Sequence, residues 1–285
     1  GPSQMWVTWM SFEEKAHFAA NATVQYGTKP HVLSLTATGT STFFQNGNRT
    51  SFVHRVLLDN LKPSTEYFYR CGSEEFGFTP GFSFTTRPLD QEHWSPRILV
   101  FGDLGLSNGV SIPFIKEQVA KKQYDAILHV GDLAYNLDTV ALQKQIVVQK
   151  KDANPLIINL SQQNNGHVGD EYMRKMESAV ANVPYQTVVG NHEVYRNFTH
   201  YTNRYTMIDE KTGENNNHFY SFNIGPVHVV AFSSEFYYWY SYSEQPIYTV
   251  TNTRIQYEWL EADLREANKP ENRKKHPWII AAGHR

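Results

Sequence analysis

The apolar positions of this chain change rhythm near residue 90. Before it, short alternating or aromatic runs dominate: Trp6-Val7-Thr8-Trp9, Thr23-Val24-Gln25-Tyr26, His54-Arg55-Val56-Leu57-Leu58 and Tyr67-Phe68-Tyr69. Gly, Asn and Pro turns separate them, and alternation between such breaks predicts strands with one buried face. Residues 1–88 are therefore expected to form an all-β sandwich, with 82–86 its last strand and 89–96 a linker.

From residue 97 the units lengthen. Apolar runs at 98–101, 126–130, 187–189 and 278–282 predict strands, whereas 111–123, 170–181 and 253–268 predict helices. The last of these spaces Ile255, Trp259, Leu260, Asp263, Leu264 and Ala267 so that the apolar members share one helical face. The runs 219–224 and 227–232 flank Gly225-Pro226 and read as a hairpin. Strands alternating with helices predict an α/β domain with mixed sheets over 97–285. The stretch 139–164 has weak periodicity and reads as an inserted surface loop.

Composition narrows the classes of function. The formal charge of -2 and the lack of a basic run argue against a nucleic-acid partner. No apolar stretch approaches the roughly 18 residues of a membrane span. The chain opens at Gly1-Pro2-Ser3-Gln4 without a signal peptide and is strand-like by Met5, so it is expected to start inside a domain. Cys71, the single cysteine, is expected to be a buried apolar side chain. Asn21, Asn48, Asn159 and Asn197 each head an Asn-x-Ser/Thr site, which favours a secreted or lysosomal glycoprotein.

Three blocks carry the chemistry. Gly102-Asp103-Leu104-Gly105, Gly131-Asp132-Leu133-Ala134-Tyr135 and Gly190-Asn191-His192-Glu193 each follow a predicted strand. A strand ending in Gly-Asp or Gly-Asn sets a hard oxygen ligand on a loop at the carboxyl edge of the sheet, where α/β folds build their sites. Three such loops gather Asp103, Asp132 and Asn191, with Tyr135 and His192 beside them, and an oxygen-rich cluster of this kind predicts a metal site.

These residues resemble the calcineurin-like metallophosphoesterases. They are closer still to the purple acid phosphatases, in particular the animal long-form members in which a β-sandwich precedes the catalytic domain. The resemblance rests on the runs 93–105, 124–136, 184–193 and 276–285 and covers nearly the whole chain apart from 139–164. Residues 61–69 also resemble the corner and following strand of fibronectin type III domains, where a tyrosine in the place of Tyr67 bonds back to the backbone. General metallophosphoesterases carry Asp-x-His in the first block. Here Gly105 stands in the histidine place, and Tyr135 is the natural replacement ligand. A phenolate is a hard donor that favours Fe(III).

The resemblance implies that Asp103 and Tyr135 bind a ferric ion, that Asp132 bridges two metals, and that Asn191 and His284 bind a second divalent ion, Fe, Zn or Mn. It implies that His192 contacts substrate and acts as the catalytic acid, that Asn191 lies at the substrate too, and that Glu193 supports the His192 imidazole. His129 and His228, inside apolar strands, are expected to be core histidines; His167, His218 and His276 have no motif around them. The implied reaction is acid hydrolysis of phosphate monoesters, small ones or phosphorylated peptides, by a metal-activated hydroxide. The family adds one histidine per metal from a Gly-His-x-His block. None occurs here, so the chain is expected to be an incomplete form with each metal one ligand short and its closing strands absent. Two other readings are a divalent-metal phosphodiesterase or nucleotidase, and a non-catalytic chain acting through its β-sandwich.

Overall fold

The computed structural model describes residues 1–12, 21–46, 49–138, 145–148, 156–159, 166–238 and 250–285. The N-terminal part contains β1 (Met5–Ser11), β2 (Thr23–Gly27), β3 (Leu35–Thr38), β4 (Thr40–Asn46), β5 (Arg49–Leu58), β6 (Glu66–Ser73), β7 (Gly77–Phe78) and β8 (Phe82–Thr85). They form two antiparallel sheets, β1-β5-β4 and β3-β2-β6, with β7 and β8 both paired to β6. Alternation decides which side chains meet: Val7, Val56 and Leu58 of one sheet share an apolar core with Val24, Tyr26, Tyr69 and Cys71 of the other. The Lys62 N–H donates to Tyr67 Oη at 3.0 Å, tying the turn before β6 to that strand. Cys71 is buried as expected, and burial pushes its thiol up to about 11.

The remainder follows in the order β9 (Ile98–Phe101), α1 (Ile112–Ala120), β10 (Ala126–Val130), β11 (Gln145–Val148), β12 (Leu156–Asn159), α2 (His167–Val180), β13 (Tyr185–Val188), α3 (Tyr195–Arg204), β14 (Tyr220–Ile224), β15 (Val227–Ala231), α4 (Glu235–Tyr238), α5 (Val250–Ala267), α6 (Pro270–Lys275) and β16 (Trp278–Ala282). Strands β13-β10-β9 are parallel, and β10 sits in the middle because Ala126, Ile127, Leu128 and His129 are buried on both of its faces. In the second sheet, β14 and β15 form the expected hairpin and β16 runs parallel to β15. Ile112, Ile115 and Val119 of α1 and Val168, Tyr172, Met176 and Ala179 of α2 are spaced to present one face each to the same core.

Two expectations are corrected. The stretch 139–164 is not only loop, because two β-branched runs within it pair as the antiparallel strands β11 and β12. The rest of that stretch lies outside the described residues. The inward face of α5 is only partly the apolar one read from its spacing, for Trp259 packs on Phe219 with ring centroids 5.0 Å apart. Gln256 and Asp263 are buried there with Ala267, while Ile255 is exposed. The polar pair is satisfied by partners: Gln256 bonds the Ser233 backbone at N and O, and Asp263 receives the Ser221 hydroxyl at 2.7 Å and faces His228 Nε2 at 2.8 Å. His129 and His228 are buried in β10 and β15, as expected of core histidines.

The two parts are tied through polar contacts. Arg49 of β5 and Arg204 of α3 both bind the buried Asp170 of α2, the second at 2.7 Å. Arg55 of β5 donates to Thr206 Oγ1 at 2.8 Å and to the Asn203 carbonyl at 2.8 Å. Tyr69 donates its hydroxyl to the Ala181 carbonyl at 2.7 Å.

Candidate metal centre

Because β9, β10 and β13 are parallel, their carboxyl ends lie at one edge, and the three loops that follow them meet there. Backbone bonds extend the pairing past the strands: Asp103 N to Gly131 O at 3.1 Å, Leu104 N to Asp132 O at 3.2 Å and Gly105 N to Leu133 O at 2.9 Å. Asp103, Asp132 and Tyr135 adopt φ of 53°, 52° and 52°, a left-handed conformation that side chains seldom take and that recurs at functional turns. A fourth loop arrives from β16. His284 donates Nδ1–H to the Val130 carbonyl at 2.8 Å, which draws Gly283-His284 over the end of β10. Gly131, at φ 79°, has to be glycine for this approach, since a Cβ there would lie 2.5 Å from His284 Nδ1 and 2.9 Å from the Gly190 Cα.

The polar atoms converge in two pairs around Asp132. Tyr135 donates its hydroxyl to Asp103 Oδ1 at 2.7 Å. His284 Nε2 faces Asn191 Oδ1 at 3.2 Å and Asp132 Oδ1 at 3.4 Å. Ligand atoms of Asp103, Asp132 and His284 all lie within 4.8 Å of one another. Asp132 is buried and Asp103 exposed, so the cluster opens to solvent on the side of the first loop. Burial works against ionised Asp132, but the His284 hydrogen bond and the His192 N–H outweigh it and hold its carboxyl below the ordinary value. The bond to Asp132 raises His284 to about 9. Burial and the neighbouring Asp103 push the Tyr135 hydroxyl up.

This donor set fits a metal. Two carboxylates, a phenol oxygen, an amide oxygen and an imidazole nitrogen converge, and four of the five atoms are the hard oxygen donors that suit a cation. His284 is set for ligation as well, because its Nδ1–H is engaged by the backbone and Nε2 remains to face the cluster. All five sequence-predicted ligand positions, Asp103, Asp132, Tyr135, Asn191 and His284, thus lie in this one cluster.

Glu193 plays a part other than the one read from the sequence, and His192 has a partner that reading did not name. Glu193 does not touch the His192 ring. Its buried carboxylate accepts the backbone N–H groups of Asp132, Leu133 and Gly190, each at 2.9 Å, and so ties the third loop to the second. Burial pushes that carboxyl up to about 7 against these three bonds. His192 instead meets Asn136, its Nδ1 lying 3.0 Å from Asn136 Oδ1. The His192 backbone N–H donates to Asp132 Oδ1 at 3.0 Å, and its ring lies edge-on to Tyr135 with centroids 4.5 Å apart. Asn136 was not singled out in the sequence; its only signal there is its place directly after the Gly-Asp-x-x-Tyr block. Of the glycosylation sites, Asn21 is exposed, Asn197 is half-buried with φ 55°, Asn159 ends β12, and Asn48 lies outside the described residues.

Comparison with known proteins finds two families along the chain. Residues 1–86 match the purple acid phosphatase N-terminal domain, and residues 96–285 match the calcineurin-like phosphoesterase family. Acid phosphatase type 7 of Homo sapiens is 38% identical over 289 residues, an alignment covering 100% of this chain and 56% of the relative. Acid phosphatase type 7 of Danio rerio is 37% identical, covering 99% of this chain and 56% of the relative. Purple acid phosphatase 23 of Arabidopsis thaliana is 28% identical, covering 99% and 62%. The chain thus spans little more than half the length of the relatives it matches. No helix among the described residues is long and apolar enough to cross a membrane.

Proposed function

Because this chain belongs to the calcineurin-like phosphoesterase family, we propose that its protein hydrolyses phosphate monoesters in acid at a dinuclear centre of Fe(III) and a divalent ion, Fe, Zn or Mn. The observation that carries this reading is the pairing of Gly105, which supplies no imidazole to the first loop, with a Tyr135 hydroxyl 2.7 Å from Asp103 Oδ1. Asp103 and Tyr135 would hold the ferric ion, Asn191 and His284 the divalent one, and Asp132 both. When bound, such a pair supplies Lewis acidity and an ionised water at acid pH. The chain's own residues supply the rest. His192, with 35% of its side chain exposed beside Asp132, is placed to orient a phosphate and to donate a proton to the leaving oxygen. Asn191 sets its amide toward the same space, and Glu193 keeps both loops in register through backbone bonds.

Substrates on this reading are small phosphate monoesters or phosphorylated peptides. The N-terminal residues 1–88 form a fibronectin type III-like sandwich, 97–285 the catalytic domain, and the protein is a secreted or lysosomal glycoprotein modified at Asn21, Asn48, Asn159 and Asn197. The reading is tested on protein purified aerobically with its metals. A phenolate bound to Fe(III) absorbs visible light, so the protein is expected to be pink or purple, and Tyr135→Phe is expected to bleach it. It should hydrolyse p-nitrophenyl phosphate in acid far faster than the bis(p-nitrophenyl) diester. A colourless, iron-free protein that is active, or one that prefers the diester, would overturn the assignment in favour of a divalent-metal phosphodiesterase.

A further inference from the structure

We propose that Asn136 is the positioning residue of His192, fixing the imidazole as the Nδ1–H tautomer so that Nε2 faces the Asp103–Asp132–His284 cluster. The inference rests on the hydrolase reading for its kinetic meaning, but not for its geometry. Asn136 Oδ1 lies 3.0 Å from His192 Nδ1. A carbonyl oxygen only accepts, so the proton of that bond sits on Nδ1. The ring's other nitrogen is then the one directed inward, 3.8 Å from Asp132 Oδ2. The edge of Tyr135 and the bond from the His192 N–H to Asp132 Oδ1 hold the ring and backbone on two further sides. Nε2 is thereby the atom that meets substrate, and as imidazolium it is the one that gives up a proton to the leaving oxygen.

The residue type follows from two requirements met at one position. Tyr135 and Asn136 are consecutive left-handed residues, with φ of 52° and 77°, and they turn the second loop back toward the third. Apart from glycine, Asn and Asp are the residues that adopt this conformation at low cost. Of the two, Asn presents an acceptor without adding negative charge beside Asp103 and Asp132, where an anionic phosphate has to bind. A carboxylate at 136 would bond Nδ1 as well but would repel the substrate.

Two measurements test this. In the protein loaded with zinc alone, 15N resonances of His192 are expected to report the Nδ1–H tautomer, and Asn136→Gly, which fits the left-handed backbone but removes the acceptor, is expected to shift the ring toward a mixture of tautomers. In the iron-loaded protein, Asn136→Gly should keep metal content and visible absorption yet lose about 10–100-fold in kcat on alkyl phosphates, whose poor leaving groups need protonation. The loss should be much smaller on p-nitrophenyl phosphate. Asn136→Asp, which restores an acceptor but repels the substrate, should recover most of the kcat at a raised KM. The double variant with His192→Ala should be no slower than His192→Ala alone, because Asn136 acts through that ring. An Nε2–H tautomer in the unaltered protein, or losses that multiply in the double variant, would overturn the assignment. A protein with the Nδ1–H tautomer but no phosphatase activity would sink the hydrolase reading and leave the positioning intact.

Discussion

Asp132 meets more of the candidate centre than any other side chain: His284 Nε2 at 3.4 Å, the His192 N–H at 3.0 Å, and the ligand group that includes Asp103. Replacing one of its oxygens with an amide nitrogen removes a charge and turns an acceptor into a donor aimed at other donors. Asp132→Asn is therefore expected to lower occupancy of both metals together, by 10-fold or more in affinity on the scale of about 10–100-fold for altered metal surroundings. Titration of iron and zinc into the variant checks this, and loss of one metal alone would show that Asp132 serves a single ion. At this scale the sequence was largely legible. Asp103, Asp132 and Asn191 stand at strand ends in a repeated block, and Tyr135 and His284 stand in blocks that carry the family resemblance. Asn136 and the bonds of Glu193 to the second loop were not, because each acts across 56 or more positions of chain on a backbone or ring whose place only the fold decides.

The loops behave as one element because Glu193 joins them. Its two oxygens receive three backbone N–H groups at 2.9 Å from two different loops, in a fully buried setting. Gln in its place offers a single carbonyl, and its NH₂ would point at N–H groups. Leaving one or two buried donors unsatisfied costs about 1–3 kcal/mol each. Glu193→Gln is thus expected to lower stability by about 2–4 kcal/mol and to weaken metal binding, even though residue 193 is no ligand. Denaturant midpoints and metal content measured on the same sample check both, and unchanged values for both would refute the clamp. Among the elements, β14, β15 and β16 were legible to within a residue because their apolar runs end at Gly225, Ser233 and Gly283. The inward face of α5 was legible only in part, in Trp259 and Ala267, since Gln256 and Asp263 are buried by virtue of partners on other elements.

Across the whole molecule, Asp170 joins the two parts through Arg49 and Arg204, with the Arg204 side chain fully buried. Removing the carboxylate strands a buried guanidinium, a change that costs about 3–5 kcal/mol. Asp170→Ala is expected to show a loss of that size in urea denaturation; a loss under 1 kcal/mol would mean that the triad is not a determinant of stability. A second whole-chain effect concerns pH. Burial lowers His54 to about 4, His129 to about 3, His200 to about 3 and His218 to about 4. Unfolded histidines take up protons near pH 6.5 that these folded ones refuse, so their stabilisation is present above that pH and is lost as pH falls toward 4 and 3. For His54 alone the gap corresponds to at most about 3 kcal/mol. Denaturation midpoints compared at pH 7 and 4.5 should fall, and His54→Gln should lessen the fall. Glu193, raised to about 7, acts in the opposite sense, so the His54 share is read from the variant: an unchanged fall in His54→Gln would show that His54 does not carry it.

What the sequence by itself determined is local: where apolar runs stop and which residue types stand at those stops. These follow from patterning, which acts over a few residues. What only the tertiary structure decided is which of those residues meet. Parallel pairing of β9, β10 and β13 brings three loops to one edge, and β16 carries His284 across 152 positions to Asp132. Glu193 and Asn136 then take their partners from whatever that arrangement sets in front of them. Contact between distant positions is the outcome of strand order and handedness, and a single sequence displays neither.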